Sequence, residues 1–500
     1  MSDASMNIDP MRWRALAFIA TAQLMIVLDS SIVNIALPSA SRALHISPNS
    51  QQWVVTAYTL AFGGLLLLGG RVADYVGRRK VFLIGLLGFA FSSALGGLAQ
   101  NGAMLFSSRA LQGAFAAFMA PAALSIISTT FTDGHERAKA FGVYGAISGG
   151  GAAVGLLAGG LLTEFANWRW CLLVNVPIAL VTFAGAVKYV HESTSKDGTS
   201  YDLPGAILIT GGLTSLVYGF TLAELHGWSS PSTIGFIAGG CLAIAAFLAY
   251  ERTAENPLLP LRILLERNRG GSFLSAFLIG TGMTGMFLFL TLYFQDVLGY
   301  SALKSGGAFL PFSMCVIGFA GLSSKLLPKF GPRPLMATGL TSAAIGLAFL
   351  STVNEHSAYL VHILPSCVLI AGGMGLSFVA LSSTALFGVH HHDAGVASAT
   401  LNASQQIGGA LGLSLLYTLA LNASTSFAKG HGIAAIAPRP GERPSPAYLD
   451  LVSRSTVHGF SVGFVSGAIA LALAAIVAVT FVTKDAGKIS AADELVMAGF

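Results

Sequence analysis

The sequence contains very little charge for its length. Charged residues make up 10% of the 500 residues, whereas about a quarter of the residues in a soluble globular domain are charged. Hydrophobic residues make up 54%, and the mean hydropathy is +0.72. Because so few charges cannot cover the surface of several soluble domains, most of the molecular surface must face lipid.

The chain also lacks the signals of several functional classes. It has no Gly-x-x-x-x-Gly-Lys-Ser/Thr loop, which argues against ATP as an energy source. Its four cysteines stand singly in apolar runs without C-x-x-C spacing, so they are interpreted as small buried side chains. The run His390, His391 and His392 lies in a short loop and is interpreted as solvated. No catalytic constellation is evident, so no enzymatic activity, cofactor or metal is expected.

The net charge is +5 and the isoelectric point is near 9.0. Such a basic balance is compatible with nucleic-acid binding. However, a membrane protein that keeps its lysines and arginines in cytoplasmic loops is basic for another reason. We therefore expect a lipid bilayer, and no nucleic acid, as the surroundings of this chain.

Long apolar runs dominate the sequence. A membrane-spanning helix needs about 20 predominantly apolar residues, and fourteen segments meet this length. The first run carries Asp29 and Asn34 and is too long for a typical signal peptide, so it is interpreted as an uncleaved span. The predicted spans are 14–37, 51–70, 81–99, 103–127, 139–163, 170–190, 203–223, 232–250, 271–294, 303–324, 333–352, 358–386, 397–422 and 457–482.

Lysine and arginine are distributed unevenly between the two sides that these spans define. With the N-terminus in the cytoplasm, the cytoplasmic segments hold 19 of the 27 basic residues and the outer segments hold seven. Only Arg109 lies within a span. The excess indicates an inner-membrane protein with both termini in the cytoplasm.

The basic loop after the second span has a counterpart later in the chain. Residues 70–80 read GRVADYVGRRK, and residues 324–334, after the tenth span, read SKLLPKFGPRP, with Gly77 aligned to Gly331. This repeat predicts a duplicated six-span unit, as in many secondary transporters. The expected divisions are a first bundle at 1–190, two inserted spans at 191–250, a cytoplasmic amphipathic linker at 251–270, a second bundle at 271–484 with an irregular outer loop at 423–456, and a cytoplasmic tail at 485–500.

These motifs resemble those of the major facilitator superfamily, and in particular its fourteen-span drug:proton antiporters. GRVADYVGRRK is similar to motif A, and LFSSRALQGAFAA at 105–117 is similar to motif B. LDSSIVNIALP at 28–38, WRWCLLVNVP at 168–177 and GVASATLNASQQIGGALG at 395–412 resemble further segments of that family. The resemblance implies an all-α polytopic fold of two six-helix bundles plus two inserted helices, fourteen transmembrane helices in all. It also implies proton-coupled antiport that exports hydrophobic or cationic drugs or metabolites by alternating access.

One motif departs from the family pattern. The antiporter motif C, G-x-x-x-G-P-x-x-G-G, corresponds here to GAAVGLLAGG, in which Leu156 replaces the proline. Three of its glycines recur every fourth residue and so share one helix face, which favours close packing or gating against another helix. The glycines of this motif are Gly151, Gly155, Gly159 and Gly160.

Asp29 and Arg109 are the candidate proton-coupling residues. An acid within a span is costly and by default indicates function, and a low-dielectric site favours the protonated form of a carboxyl group. At about 1.5 Å per residue, Asp29 and Arg109 lie at similar depth in their spans. Arg109 is expected to sense the protonation of Asp29, with an architectural arginine bonded to carbonyl groups as the alternative. For Asp29 itself, the alternatives are binding of a substrate cation and a structural carboxylate bonded to Ser, Asn or backbone partners.

Motif A is interpreted as a conformational latch. A set of anchors for the positive-inside rule would explain its basic residues but not its glycines and aspartate. Asp74 is expected to meet the positive end of a helix dipole, and Gly70 is expected to permit close helix approach. The latch residues are Gly70, Arg71, Asp74, Gly77, Arg78 and Arg79.

Polar residues elsewhere in the spans are candidates for the substrate cavity, with hydrogen bonding between helices as an equally good interpretation. The candidates are Asn34, Gln112, Asn402, Gln405 and Gln406. Two other functions stay open: a dedicated exporter of one natural product or lipid, and a non-transporting receptor or scaffold. The expected partners are protons and small hydrophobic or cationic substrates, and the expected state is a monomer.

Overall fold

The computed structural model describes residues 11–131, 134–192, 202–254, 257–259, 261–387, 389, 394–436 and 445–483, and within them the regular structure is entirely helical. The α-helices are α1 Arg12–Ala43, α2 Trp53–Val76, α3 Arg78–Gly97, α4 Gly102–Thr130, α5 Gly134–Phe165, α6 Trp170–Leu173, α7 Asn175–Tyr189, α8 Leu203–His226, α9 Pro231–Glu251, α10 Leu261–Leu264, α11 Arg267–Leu292, α12 Ala302–Ala308, α13 Leu310–Phe330, α14 Pro332–Leu350, α15 Leu364–Leu386, α16 Ala394–Gly430, α17 Ile433–Ile436 and α18 Pro446–Phe481. Two π-helical turns, Tyr293–Val297 and Tyr359–Ile363, extend α11 and precede α15.

Twelve helical segments among the described residues are long and apolar enough to cross a membrane. They are α1, α3, α4, α6 with α7, α8, α9, α11 with its π-helical turn, α12 with α13, α14, α15 with its π-helical turn, α16 and α18. The two other predicted spans, 51–70 and 139–163, correspond to α2, which begins at Trp53, and to α5. Both of these helices contain side chains outside the described part. The chain is therefore a multi-pass membrane protein, and its described part is all-helical.

The two halves of the chain repeat one packing order. In the first half, α1 packs against α5 and α7, while α4 packs against α2 and α3. In the second half, α11 packs in the same way against α16 and α18, while α15 packs against α13 and α14. This order is the structural counterpart of the repeat in the sequence.

The aligned glycines of the repeat occupy equivalent bends. Gly77 separates α2 from α3 with φ +117°, and Gly331 separates α13 from α14 with φ +75°. A residue with a Cβ atom rarely adopts a positive φ, so glycine allows the backbone to reverse without strain at both positions. The backbone thus explains why these two positions match although the surrounding residues have diverged.

Helix α8 lies along the seam between the two halves. It packs against its neighbour α9 and also against α2 and α16. Leu213 and Val217 of α8 form a small core with Leu60 of α2 and Ala410 of α16, and the Ser414 hydroxyl donates to the Val217 carbonyl oxygen at 3.2 Å. The inserted pair is therefore fastened to both halves through one of its two helices.

The prediction of an irregular loop at 423–456 is wrong over much of this range. Helix α16 continues to Gly430, and α18 already begins at Pro446. Proline is well tolerated in the first turn of a helix, and the Ser445 hydroxyl caps α18 by accepting the Tyr448 N–H at 3.2 Å. Pro446 thus marks the start of a helix, while residues 437–444 of the predicted loop lie outside the described part.

The halves pack along α2 and α16, and they also meet at the end of the bundle where α1 finishes, called here the distal end. The carboxylate of Glu164 on α5 accepts the Leu303 N–H of α12 at 2.9 Å. The Gln295 amide donates to the Ile35 carbonyl oxygen of α1, also at 2.9 Å. Gly160 of α5 lies directly against the α12 backbone. These contacts hold the two halves together at the distal end.

Glu164 lies one residue beyond the predicted span 139–163. Hydrogen bonds from the Ser301 hydroxyl and the Leu303 N–H lower the pKa of its carboxyl group. A carboxylate with a lowered pKa contributes its stabilisation above the ordinary value and loses it as the pH falls through the lowered value. The distal contact is therefore complete at neutral pH.

We expect Glu164→Gln to loosen the distal contact at neutral pH, because the amide accepts these hydrogen bonds more weakly than the carboxylate. The buried Ala302 of α12, replaced by cysteine in a variant without the natural cysteines, serves as a probe. Its reaction with a maleimide should become severalfold faster. The control is Asp450→Asn, since Asp450 pairs with Arg454 of its own helix at 3.7 Å. Equal labelling rates for both variants would contradict a role for Glu164.

Candidate functional site

The predicted pair Asp29 and Arg109 meet inside the first half. Arg109 Nη1 of α4 lies 2.5 Å from Asp29 Oδ2 of α1. Asp29 is 0% exposed and Arg109 is 1% exposed. The structure thus brings together the acid and the arginine that stand within predicted spans, and it buries both from solvent.

Two amides complete the shell of the Asp29 carboxylate. Gln112 Nε2 donates to Asp29 Oδ1 at 3.0 Å, and Asn175 Nδ2 donates to the same oxygen at 2.8 Å. Gln112 Nε2 also donates to the Ser93 hydroxyl at 2.5 Å. All of these side chains are buried. Helices α1, α3, α4 and α7 therefore each contribute a polar group to one cluster.

Arg109 has further partners that fix its position. Its Nε donates to the Val54 carbonyl oxygen at 3.1 Å, and its Nη1 donates to Gln112 Oε1 at 2.7 Å. The guanidinium lies 4.4 Å from the centre of the Tyr58 ring, which provides a cation–π contact. Since arginine does not lose its proton in proteins, the guanidinium is a permanent positive charge beside Asp29.

The cost of burial decides how this cluster behaves. An isolated charge in an apolar interior is strongly unfavourable, and even a buried ion pair roughly breaks even against apolar side chains. The Asp29 carboxylate balances that cost with three donors, which are Arg109, Gln112 and Asn175. The ion pair therefore joins α1 to α4 through a carboxylate whose charge is matched by the guanidinium.

Helix packing brings these groups together. Arg109 and Gln112 are three residues apart and therefore share one face of α4. Gly113 lies next to them, and a methyl group at this position would overlap the Tyr58 carbonyl of α2. The absence of a side chain at Gly113 allows α2 to approach α4, so that Val54 and Tyr58 reach Arg109.

Motif A is described in part. A side chain at Gly69, and not at Gly70, would overlap α4 at Ala117, so the prediction that Gly70 permits close approach is wrong by one position. The backbone N–H of Arg79 donates to the Glu192 carboxylate at 3.0 Å, and its guanidinium donates to the Val187 carbonyl oxygen at 2.5 Å. Glu192 thus caps the start of α3. The side chains of Arg71 and Asp74 lie outside the described residues, and the Arg78 side chain is partly buried.

The glycines of α5 face two different helices. Gly151, Gly155 and Gly159 lie against α1, around Val27, Ser31 and Ile32. Gly160 faces α12, whose own Gly306 lies against the Leu156 carbonyl. The predicted shared face is therefore packed against α1, one helix turn from Asp29, while the last glycine belongs to the contact between the halves.

The predicted cavity residues occupy three kinds of position. Gln112 belongs to the Asp29 cluster. The amides of Asn34 and Asn402 donate to carbonyl oxygens of their own helices, Ser30 at 3.1 Å and Ser398 at 3.0 Å. The remaining candidates, Gln405 and Gln406, are half-buried on α16, close to α11 and α2 respectively.

Three members of the cluster were not predicted from the sequence as site residues: Ser93, Asn175 and Tyr58. Asn175 stands as a single amide within the apolar run WRWCLLVNVP, and that isolation was the available signal. Ser93 and Tyr58 carry no such signal, because serine and tyrosine are common within spans. Metal binding has no support in the described part of the chain, which contains no group of three or more His, Cys, Asp or Glu side chains suited to it. His390, His391 and His392 lie outside that part.

Comparison with known proteins agrees with this architecture. The family model of the Major Facilitator Superfamily matches residues 19–413. The chain is 46% identical to the puromycin resistance protein pur8 of Streptomyces alboniger over 99% of this chain and 95% of that protein. It is 42% identical to the cephamycin export protein CmcT of Amycolatopsis lactamdurans over 81% and 84% of the two chains. A bacterial homologue of the human lysosomal transporter Spinster, solved in an inward-facing and unoccupied conformation, shares the fold with a TM-score of 0.62 at 17% identity, covering 94% of this chain and 98% of that one.

We expect Arg109→Met to reduce the free energy of unfolding by about 3–5 kcal/mol, since it leaves a buried carboxylate without its ion-pair partner. The double variant Asp29→Asn/Arg109→Met should recover a large part of this loss. Unfolding in mixed detergent micelles measures both effects. The control is Arg454→Met, which removes an exposed pair worth at most about 1 kcal/mol. Additive losses in the double variant would contradict a direct interaction.

We expect Gly113→Ala to destabilise the protein by about 1–3 kcal/mol, because the added methyl group forces α2 away from α4. Gly211→Ala on α8 is the matched control, since its methyl group meets no described atom within 4 Å. Thermal unfolding in detergent compares the two variants. A Gly113→Ala protein as stable as the control would show that close approach at Gly113 is not required.

Proposed function

The chain belongs to the Major Facilitator Superfamily, and from this membership we propose that it is a proton-coupled antiporter that exports hydrophobic or cationic compounds. It is a membrane transporter and not an enzyme. The observation that carries the proposal is the buried ion pair of Asp29 and Arg109, with Gln112 and Asn175 on the same carboxylate. A buried carboxyl group can bind and release a proton, and each change alters its attraction to the permanent positive charge of Arg109.

The proposed topology has fourteen spans, with α2 and α5 added to the twelve helical segments described above. Both termini lie in the cytoplasm, as the distribution of lysine and arginine supports, and the membrane is the inner membrane. The divisions are two six-span bundles joined by α8, α9 and a cytoplasmic linker. In this orientation the distal end is the outer end, so the contacts of Glu164 and Gln295 hold the two halves together on the outer side.

The proposed mechanism links the proton to the bundle through Arg109. Deprotonated Asp29 binds the guanidinium and holds α1 to α4. Protonation of Asp29 releases the attraction, and Arg109 then depends on the Val54 carbonyl, Gln112 and Tyr58. The change alters the packing of α1, whose other face is in contact with the glycines of α5. Because α5 also contacts α12 at the outer side, the proton on Asp29 is coupled to the contact between the halves.

Motif A and the glycine motif of α5 are proposed to take part in the change in packing of α1. The latch of motif A sits at the cytoplasmic end, where Glu192 caps α3 beside Gly77 and Arg79. The glycines of α5 form the gating contact, with Gly160 at the crossing of the two halves. The smooth face of α5 allows α1 to shift along it at little steric cost.

The substrate class follows from the relatives and from the polar groups on α16. Two relatives are named for puromycin resistance and cephamycin export, so amphipathic antibiotics of this kind are the proposed substrates. The proposed polar groups of the substrate site are Asn402, Gln405 and Gln406, since small-molecule sites combine a few polar groups with apolar side chains. A protein dedicated to one natural product is the second candidate, and the extended match to a relative named for resistance to one antibiotic favours it.

We expect uptake into inverted vesicles to depend on a proton gradient for puromycin or another member of a panel of dyes and antibiotics. Asp29→Asn should abolish the gradient-dependent part, because the amide cannot exchange a proton. Asp450→Asn, an exposed acid on α18, should leave it unchanged. Uptake of one compound only would identify a dedicated exporter. Full gradient-driven uptake by Asp29→Asn, or no gradient dependence for any compound, would overturn the proposal.

A further inference from the structure

Only the nitrogen of the Asn175 side-chain amide is hydrogen-bonded in the Asp29 cluster. Its Nδ2 donates to Asp29 Oδ1 at 2.8 Å and lies 3.4 Å from the Ser93 hydroxyl. Its Oδ1 is buried and has no hydrogen-bond partner among the described residues. Since Asn175 is 0% exposed, this carbonyl oxygen carries an uncompensated desolvation cost.

Gln112 carries the other amide of the cluster, and both its nitrogen and its oxygen are hydrogen-bonded. Gln112 Nε2 donates to both Asp29 and Ser93, and Gln112 Oε1 accepts from Arg109 at 2.7 Å. Rotation of this amide would turn its NH2 group towards the guanidinium and lose the bonds on both sides. Gln112 can therefore serve the ionised carboxylate but has no free acceptor for a protonated one.

Protonation of Asp29 reverses what its carboxyl group needs. An ionised carboxylate only accepts hydrogen bonds, whereas the acid also has one O–H to donate. The Oδ2 atom faces Arg109 Nη1 at 2.5 Å, so the proton belongs on Oδ1. Oδ1, however, faces the NH2 groups of two amides, and neither amide can accept a new O–H there unless it turns.

We propose that Asn175 is a positioning residue that follows the protonation of Asp29 by rotating its side-chain amide. Its Nδ2 donates to the carboxylate, and after rotation its Oδ1 accepts from the carboxylic acid. One atom of the amide is unpaired in either orientation, so rotation adds no new unsatisfied group. This inference rests on the proposed function, because it assumes that Asp29 exchanges a proton.

The other titratable groups around Asp29 do not supply this acceptor. The helices packed against α1 contribute Arg109 from α4, Tyr58 from α2 and Cys171 from α6, and the last two lie close enough to sense the charge of Asp29. Arg109 only donates, and the Cys171 sulfur is already in contact with Thr163 at 3.2 Å. The buried Tyr58 hydroxyl has no hydrogen bond to Asp29 or to any other described residue. On α5, the Tyr144 hydroxyl donates to Gln23 at 2.6 Å, away from the cluster. The charged groups of α5, α7, α11 and α12 among the described residues stand near the helix ends, namely Glu136, Lys139, Glu164, Lys188, Arg267, Arg269 and Lys304.

Infrared difference spectroscopy of the full-length protein tests the rotation without any transported substrate. The spectrum is recorded between high and low pH, with asparagine labelled with carbon-13 at the side-chain carbonyl. Protonation of Asp29 should produce a carboxylic acid C=O band, and one labelled asparagine C=O band should shift to lower frequency as that carbonyl accepts the O–H. The Asp29→Asn variant should lose both signals.

Three variants decide the assignment. Asn175→Leu should keep the Asp29 acid band but lose the asparagine shift, and Asn175→Ala provides the same test if the leucine variant does not fold. Thr182→Val should keep both signals, since Thr182 is equally buried on α7 but bonds only to the Ile178 carbonyl oxygen at 2.7 Å. An Asp29 band without an asparagine shift, or with a shift that survives both Asn175 variants, would overturn the rotation and leave proton coupling intact. Absence of any Asp29 band over the whole pH range would instead remove the proton site and the proposed function with it.

Discussion

The buried ion pair of Asp29 and Arg109 is the interaction on which the first half of the molecule depends. Two opposite charges out of contact with water are tolerable only when each remaining donor and acceptor finds a partner. That requirement draws α1, α2, α3, α4 and α7 together at one point, through Val54, Ser93, Gln112 and Asn175. A change in the charge of Asp29 therefore affects several helices at once. The second half has the same packing order.

Close glycine contacts provide the second constraint, and they operate where helices must come together without side chains between them. Gly113 allows α2 to approach α4, and three glycines of α5 form a smooth face against α1. Gly160 and Gly306 allow the two halves to touch at the distal end. Since attraction between apolar side chains is weak in lipid, small residues and a few hydrogen bonds determine which helices associate. Helices held by such contacts can separate and re-form them, which suits a bundle that opens alternately to each side.

Particular residues show how far the sequence predicts the candidate site. The similar depth of Asp29 and Arg109 followed from the rise per residue of a helix, and the structure places the two side chains in contact. Gln112 was assigned to a substrate cavity because a glutamine within a span can face either a ligand or another helix. Gly70 was predicted to permit close helix approach, yet a side chain would overlap α4 at Gly69 and would only touch Pro121 of α4 at Gly70. Asn175 was part of a recognised motif but had no predicted partner, because it lies 146 residues from Asp29 in the chain.

The sequence by itself determined the membrane environment, the helical class and the family, because these follow from composition, the length of apolar runs and local motifs. It also identified Asp29 and Arg109 as candidate functional residues, because a charged side chain within a span is costly to bury. The tertiary structure alone decided which face each helix buries and which distant groups share a hydrogen bond. When a helix turns about its axis by the angle of one residue, a side chain that faced one neighbouring helix faces a different one. The sequence gives little indication of this angle when all faces of the helix are apolar, because the hydrophobic periodicity is then weak. The free carbonyl of Asn175 and the contact of Glu164 with α12 therefore emerge only from the packed helices.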